Sequence, residues 1–190
     1  MPTTYIISKY AEAIIENNEA DIIEFEPLLS KSAQYYDAAF NSKDRRNYDT
    51  DFLLSGASAY FLSNDFGSSK VLIKTLFSIF HNGNKSPQLL LLNVYAYLLL
   101  QNKLSYIKVT DTYSKINNAF LDCFEKGTEF SELKSHLTNY RQEVYDKDDP
   151  DEVFFVDILV ASIYKAIENS SWVVLPKYSD VPLEGWEKYL

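Results

Sequence analysis

Apolar side chains return every three or four residues along most of this chain, the interval at which one face of an α-helix repeats. Ile6, Tyr10, Ala13, Ile14 and Asn17 set a first helix, predicted from Thr4 to Asn17. A second begins near Asp21 or just after Pro27 and carries Leu28, Leu29, Ala33, Tyr36 and Phe40 on one face. The polar stretch Asn41 to Asp49 reads as a loop. From Asp51 to Leu62 large apolar residues flank a run of small ones, Ser55-Gly56-Ala57-Ser58. Small side chains let another helix axis come close, so this segment is the predicted centre of packing.

The punctuation between helices is equally regular. Asn64-Asp65-Phe66-Gly67 marks a tight turn, after which Ser68 or Ser69 caps a helix over Lys70 to Phe80, ended by Asn82-Gly83-Asn84. Ser86 and Pro87 suit the N-cap and first position of a helix through Leu100. Thr110 or Asp111 opens the next, through Phe124, and Gly127 closes it. Ser131, with Glu129 nearby, opens another toward Tyr145. Asp149 as N-cap and Pro150 after it introduce the most hydrophobic late helix, Val153 to Ile167. Beyond Asn169 the pattern turns irregular, then Leu183, Trp186 and Leu190 resume helical spacing.

The expected fold class is therefore all-α, an irregular bundle of about seven to nine antiparallel helices. Ala57, Tyr60 and Phe66 sit near the spacing of the small, Tyr and turn-aromatic positions of tetratricopeptide units, so tetratricopeptide-like hairpins are expected. No second copy follows at that repeat's period of about 34, which favours a hairpin bundle over a repeat array. One domain is expected over 1–190: N-terminal helices over 1–48, a hairpin bundle over 49–168, and a linker with a docking helix over 169–190.

Composition agrees. Only five glycines and six prolines leave too few turn-formers for a β-sandwich, and 46% hydrophobic residues suffice for one sizeable core. The net charge of −9 disfavours a broad nucleic-acid footprint, because duplex binding draws much of its affinity from basic side chains displacing counterions. The compact basic cluster Lys43, Arg45 and Arg46 reads as a solvated loop. The apolar run Leu89 to Leu100 is too short to cross a bilayer, where roughly twenty residues are needed, so no membrane partner is expected. Met1 to Tyr10 lacks the features of a signal peptide, and with the single Cys123 this points to a reducing, cytoplasmic setting.

The ionisable and nucleophilic residues have ordinary structural roles in their sequence context. His81, at a helix end, and His136, within a helix, read as structural, and Cys123 reads as a small near-core residue with no cation to stabilise a thiolate. The acidic cluster Asp146, Asp148, Asp149, Asp151 and Glu152 reads as a helix start that complements the dipole rather than a metal site. Gly67-Ser68-Ser69-Lys70 has one glycine and lies between helices, so it is not a P-loop. No catalytic, cofactor-binding or metal-binding residue is assigned, and no cofactor is expected in this chain.

The stretch Phe52 to Phe66 with Ser68-Ser69-Lys70-Val71-Leu72 resembles the helical N-terminal region of large bacterial DEAD/DEAH-box helicases of anti-phage defence systems, including Hachiman. Asn169-Ser170-Ser171-Trp172, Leu175-Pro176 and Leu183-Glu184-Gly185-Trp186-Glu187-Lys188-Tyr189-Leu190 are similar to the segment leading into those proteins' first helicase motifs. The resemblance spans Tyr35 to Leu190 and implies a superfamily 2 helicase whose motor domains follow Leu190. It implies motor domains in cis as partners, an effector nuclease subunit as a second partner, and nucleic acid reached through the parent motor. Trp172, Leu183, Trp186, Tyr189 and Leu190 are then the candidate interdomain docking residues. The competing expectation is a self-standing helical adaptor that binds a protein partner in a groove lined by tyrosines such as Tyr35, Tyr36, Tyr95 and Tyr97.

Overall fold

Eight α-helices and one π-helical turn account for most of the residues that the computed structural model describes, which are 3–40, 50–79, 85–102 and 104–168. The helices are α1 (Thr3–Glu16), α2 (Glu19–Phe40), α3 (Thr50–Leu62), α4 (Phe66–Ile79), α5 (Pro87–Leu100), α6 (Thr112–Leu121), α7 (Phe130–Tyr145) and α8 (Pro150–Glu168). The π turn covers Asp122–Lys126, and no strand occurs among the described residues. The fold is an all-α bundle.

Two hairpins are built by one device. α1 stops where Asn17 turns left-handed at φ 54, with the Asn18 N–H donating to Ala13 O at 2.9 Å and the Asn17 N–H to Ile14 O at 3.2 Å. α3 stops the same way at Asn64, φ 67, with Asp65 N–H on Tyr60 O at 2.9 Å and Asn64 N–H on Phe61 O at 3.1 Å. Asparagine tolerates this conformation better than most residues and here occupies the place more often held by glycine. The following residue then caps the next helix: Asn18 Oδ1 accepts from Asp21 N–H at 3.3 Å, and Asp65 Oδ1 from Ser68 N–H at 3.0 Å. The cap of α4 is thus Asp65, not Ser68 or Ser69, and the helix starts at Phe66 rather than Lys70. Ser69 instead sends its hydroxyl across to Ala57 O of α3 at 2.8 Å, a buried bond.

The small residues of α3 sit where close packing was expected. A Cβ on Gly56 would lie 2.9 Å from Tyr36 Cβ of α2 and 3.3 Å from Leu72 Cδ1 of α4, so three helices meet at this glycine. α2 starts at Glu19 and continues through Pro27, whose missing N–H breaks one backbone bond. Pro27 and Ile23, the residue four before it, are both exposed, a setting in which solvent can satisfy the freed carbonyl.

The second principle of the fold is α8. Every residue from Phe155 to Ala166 is buried, because this helix packs against α1, α3, α5 and α7 at once. A helix apolar on all sides belongs in the interior. Its start follows expectation: Asp149 Oδ1 accepts from Asp151 N–H at 3.0 Å and Glu152 N–H at 3.2 Å. The last described helix therefore returns to the first, which closes the bundle where an open stack of hairpins would leave both ends apart.

Candidate interaction surface

α6 carries polar residues where a core-facing stripe would be apolar. Ser114, Asn117, Asn118 and Asp122 recur at three- and four-residue spacing and so share a side of the helix and its π turn. Their side chains hold the segment between α5 and α6, which runs through residues 104–110 with no helix, turn or bend. Asn118 Nδ2 donates to Ile107 O at 2.8 Å, and Ile107 N–H donates to Asn118 Oδ1 at 3.0 Å. Asn117 Nδ2 donates to Ser105 O at 3.1 Å. Ser114 Oγ accepts from the N–H groups of Thr110 and Asp111 at 3.0 and 3.1 Å. Leu104 and Ile107 pack on the core, whereas Tyr106 and Val109 remain 45% and 54% exposed. This strap is the longest fully described non-helical stretch in the molecule.

Both ends of the strap are fixed by charge. At one end Tyr106 donates its hydroxyl to Asp122 Oδ1 at 2.7 Å, Lys126 Nζ sits 2.6 Å from the same oxygen, and its ammonium lies 4.7 Å from the Tyr106 ring centre. Lys126 foremost, then Tyr106, pulls the Asp122 carboxyl below its ordinary pKa. At the other end Asp111 caps α6 by accepting from Ser114 N–H at 2.9 Å and pairs with Lys85 at 2.6 Å. The Lys85 bond and the Ser114 bonds hold the Asp111 carboxyl far below its usual range. The α-helical part of α6 ends at Leu121 rather than Phe124; the chain widens into the π turn, and Gly127 closes it at φ 67. Such turns recur at functional sites.

Among the described residues, Cys123 and His136 keep separate partners. Cys123 lies in the π turn, where burial foremost pushes its thiol pKa up, aided by Asp122 and Glu132 and opposed by Thr128. Its sulfur is 3.8 Å from the Glu129 carbonyl and 3.7 Å from Thr128 Oγ1, and His136 is not among its partners. The imidazole of His136 instead lies 3.7 Å from Glu132 of the same helix. A nucleophilic thiol needs a base within reach and a lowered pKa; the Cys123 pKa is raised, and its contacts among the described residues are Thr128 and the Glu129 carbonyl. Among the described residues no group of three or more His, Cys, Asp or Glu is placed to hold a metal ion, and no helix is long and apolar enough to cross a membrane.

Ionisable groups that are buried elsewhere bind helices together. Asp157 of α8, 4% exposed, accepts from Arg141 Nε and from the Tyr145 hydroxyl of α7, each at 2.6 Å. Lys165 of α8 donates to the Leu62 carbonyl oxygen of α3 and lies 5.6 Å from the Tyr10 ring centre of α1. Desolvation lowers its pKa to about 8, against a smaller opposing pull from Glu26. Tyr95 and Ser162 share a buried 2.7 Å hydrogen bond between α5 and α8, and Tyr97 packs edge-on against Phe120, so neither tyrosine lines a groove.

The docking residues expected at Trp172, Leu183, Trp186, Tyr189 and Leu190 lie outside the described residues, as do Lys43, Arg45, Arg46 and His81. The strap itself escaped sequence reading because its apolar residues follow no helical or alternating period. A signal was present in Asn117-Asn118, two poor helix formers in mid-helix, a position such residues take up when their amides have backbone to bind. Comparison with protein-family models, curated proteins and solved structures finds no match to this chain.

Proposed function

We propose that this chain is a non-catalytic helical interaction domain. The observation that carries the reading is the division of its polar groups: Lys165, Asp157 and Arg141 are consumed in helix-to-helix bonds, while the strap presents Tyr106 and Val109 to solvent on a fixed backbone. Groups spent on structure are not free for chemistry, and a rigidly held exposed segment suits recognition.

The likeness of Phe52 to Leu72 to the N-terminal region of anti-phage DEAD/DEAH-box helicases supports a more specific form of the proposal. In that form the domain sits ahead of an ATP-dependent motor in the bacterial cytoplasm, contacts it in cis and offers a surface to an effector nuclease subunit. Nucleic acid is then engaged by the motor, in keeping with the −9 charge of this chain. Reading the gene beyond codon 190 tests the cis arrangement: a P-loop strand is expected, and a stop codon would sink that form while leaving the interaction domain. Calorimetry of the purified chain with ATP and magnesium tests the broader reading, for which no heat of binding is expected; saturable binding would overturn it.

A further inference from the structure

We infer that the outer face of α2, centred on Ile23, docks a basic amphipathic helix of a partner protein. This rests on the interaction-domain reading, but on neither the strap nor the helicase likeness. α2 packs against α1 and α3 and buries Phe25, Leu29, Ala33 and Tyr36. At 3.6 residues per turn, Ala20, Ile23 and Pro27 fall on the opposite side, and all three are exposed. Ile23, at 73%, is the most exposed large hydrophobic side chain among the described residues. Their three- and four-residue spacing forms the kind of ridge on which a further helix packs.

Charge beside that ridge selects the occupant. Glu19 and Glu26, four before and three after Ile23, border it on one side; Glu24, four after Ala20 and three before Pro27, borders it on the other. All three carboxylates are exposed, and none makes an ion pair among the described residues. Lys9 of α1 is already paired with Glu12, and Lys31, one turn beyond Pro27, is the only other lysine or arginine that α1 and α2 carry. Pro27 has no N–H to give the Ile23 carbonyl, which adds an acceptor to the same strip. Acceptors without donors of their own call for the N–H groups of Lys or Arg. Nucleic acid and anionic membranes meet these carboxylates with like charge. So does a second copy pairing through the same face, which sets them against their own counterparts. A partner helix whose apolar stripe runs between Lys or Arg residues instead covers Ile23 and neutralises both borders.

Selection of helix-forming peptides against the immobilised full chain, followed by synthesis of the strongest binder, tests this. The expected binder places Leu, Ile or Phe at three- and four-residue spacing between Lys or Arg, shifts the amide resonances of Ala20 to Glu26, and weakens as salt is raised. Ile23→Ser and Glu24→Lys should each lower its affinity about tenfold. Both positions are exposed, so the variants fold, and a circular dichroism spectrum and Tm close to those of the parent verify this. Pro27→Ala, which returns an N–H to the Ile23 carbonyl, should lower affinity about threefold; unchanged affinity would overturn the carbonyl's part in the contact. Uncharged or acidic winners, or shifts centred elsewhere, for instance on Val71 and Phe77 of α4, would overturn the α2 face. Dimerisation of the chain that shifts the same amides would overturn the choice of occupant. Failure to select any helix overturns the inference and leaves the interaction domain standing, whereas saturable ATP binding in the calorimetric test overturns the reading beneath it.

Discussion

Lys165, buried on α8, donates its ammonium to the carbonyl oxygen of Leu62 in the last turn of α3. The turn after Leu62 satisfies the carbonyls of Tyr60 and Phe61 with its own backbone, and the lysine supplies a donor to Leu62. A cation at a helix C-terminus also opposes the negative end of the dipole. This contact ties the central helix to the α3–α4 hairpin, and the Tyr10 ring alongside adds α1 to the same knot.

The knot gives stability an uncommon pH dependence. Lys165 titrates near 8 in the folded chain and near its ordinary 10.5 when unfolded. Between those values the unfolded chain holds the proton that the native state has released, so stability rises with pH. The gain from pH 8 to 9 is about 1 kcal/mol. The trend reverses higher up, because burial raises the pKa of the Cys123 thiol above 9.0 and that of Tyr10 from 10.0 to about 12, so the unfolded chain loses those protons first. Urea midpoints measured from pH 7 to 11 should pass through a maximum, and Lys165→Met should remove the rising limb.

The Gly56 contact predicts a sharp size limit. Ala is the better helix former by about 1 kcal/mol, yet its Cβ would meet Tyr36 Cβ at 2.9 Å, an atom next to the backbone that cannot swing aside. The helix axes must separate, and overpacking of this kind costs about 1–3 kcal/mol. Gly56→Ala should therefore lower the Tm, and Gly56→Val should lower it further. Gly127→Ala meets no neighbouring atom but keeps φ at 67, so its cost is conformational strain alone, about 1 kcal/mol, and Gly127→Asn should recover part of it.

These sites show what the sequence made legible. Helix positions followed from apolar spacing, and Gly56 was readable because small residues between Leu54 and Tyr60 have no use on an isolated helix. The Asp149-Pro150 start was readable because capping is local chemistry. Asp65 was missed as a cap because its neighbours Ser68 and Ser69 are equally good candidates, and only the backbone path chooses among them. The Lys165 and Asp157 contacts span 103 and 16 residues of sequence, and such partners are set by tertiary packing that no local pattern records.

The bond between Asp157 and Arg141 is expected to behave as a buried pair. Asp157→Ala strips the partner from a half-buried guanidinium and from the Tyr145 hydroxyl, at a cost of about 3 kcal/mol. Tyr145→Phe removes one charged hydrogen bond at the rim and should cost about 1–2 kcal/mol. Replacing both ends, Asp157→Leu with Arg141→Met, should be less damaging than Asp157→Ala alone, since no uncompensated charge remains. Urea unfolding reads all three, and the single variants Asp157→Leu and Arg141→Met complete a double-mutant cycle in which strict additivity would count against direct coupling.

The paired bonds between Asn118 and Ile107 make the strap a separable unit. Asn118→Ala removes both bonds and replaces a poor helix former with the best one, so α6 itself gains while the strap loses its anchor. Global stability should change by less than about 1 kcal/mol, because the gain in propensity offsets much of the lost bonding. Local order should change far more. The Ile107 amide, now free of its acceptor, should exchange with solvent faster than in the parent chain, while amides in α8 should keep their protection. Asn118→Asp separates the two bonds: the carboxylate still accepts from Ile107 N–H but cannot donate to its carbonyl, so exchange at Ile107 should fall between the parent and the alanine variant. Equal protection at Ile107 in all three proteins would mean that packing of Leu104 and Ile107, not the asparagine, holds the strap in place.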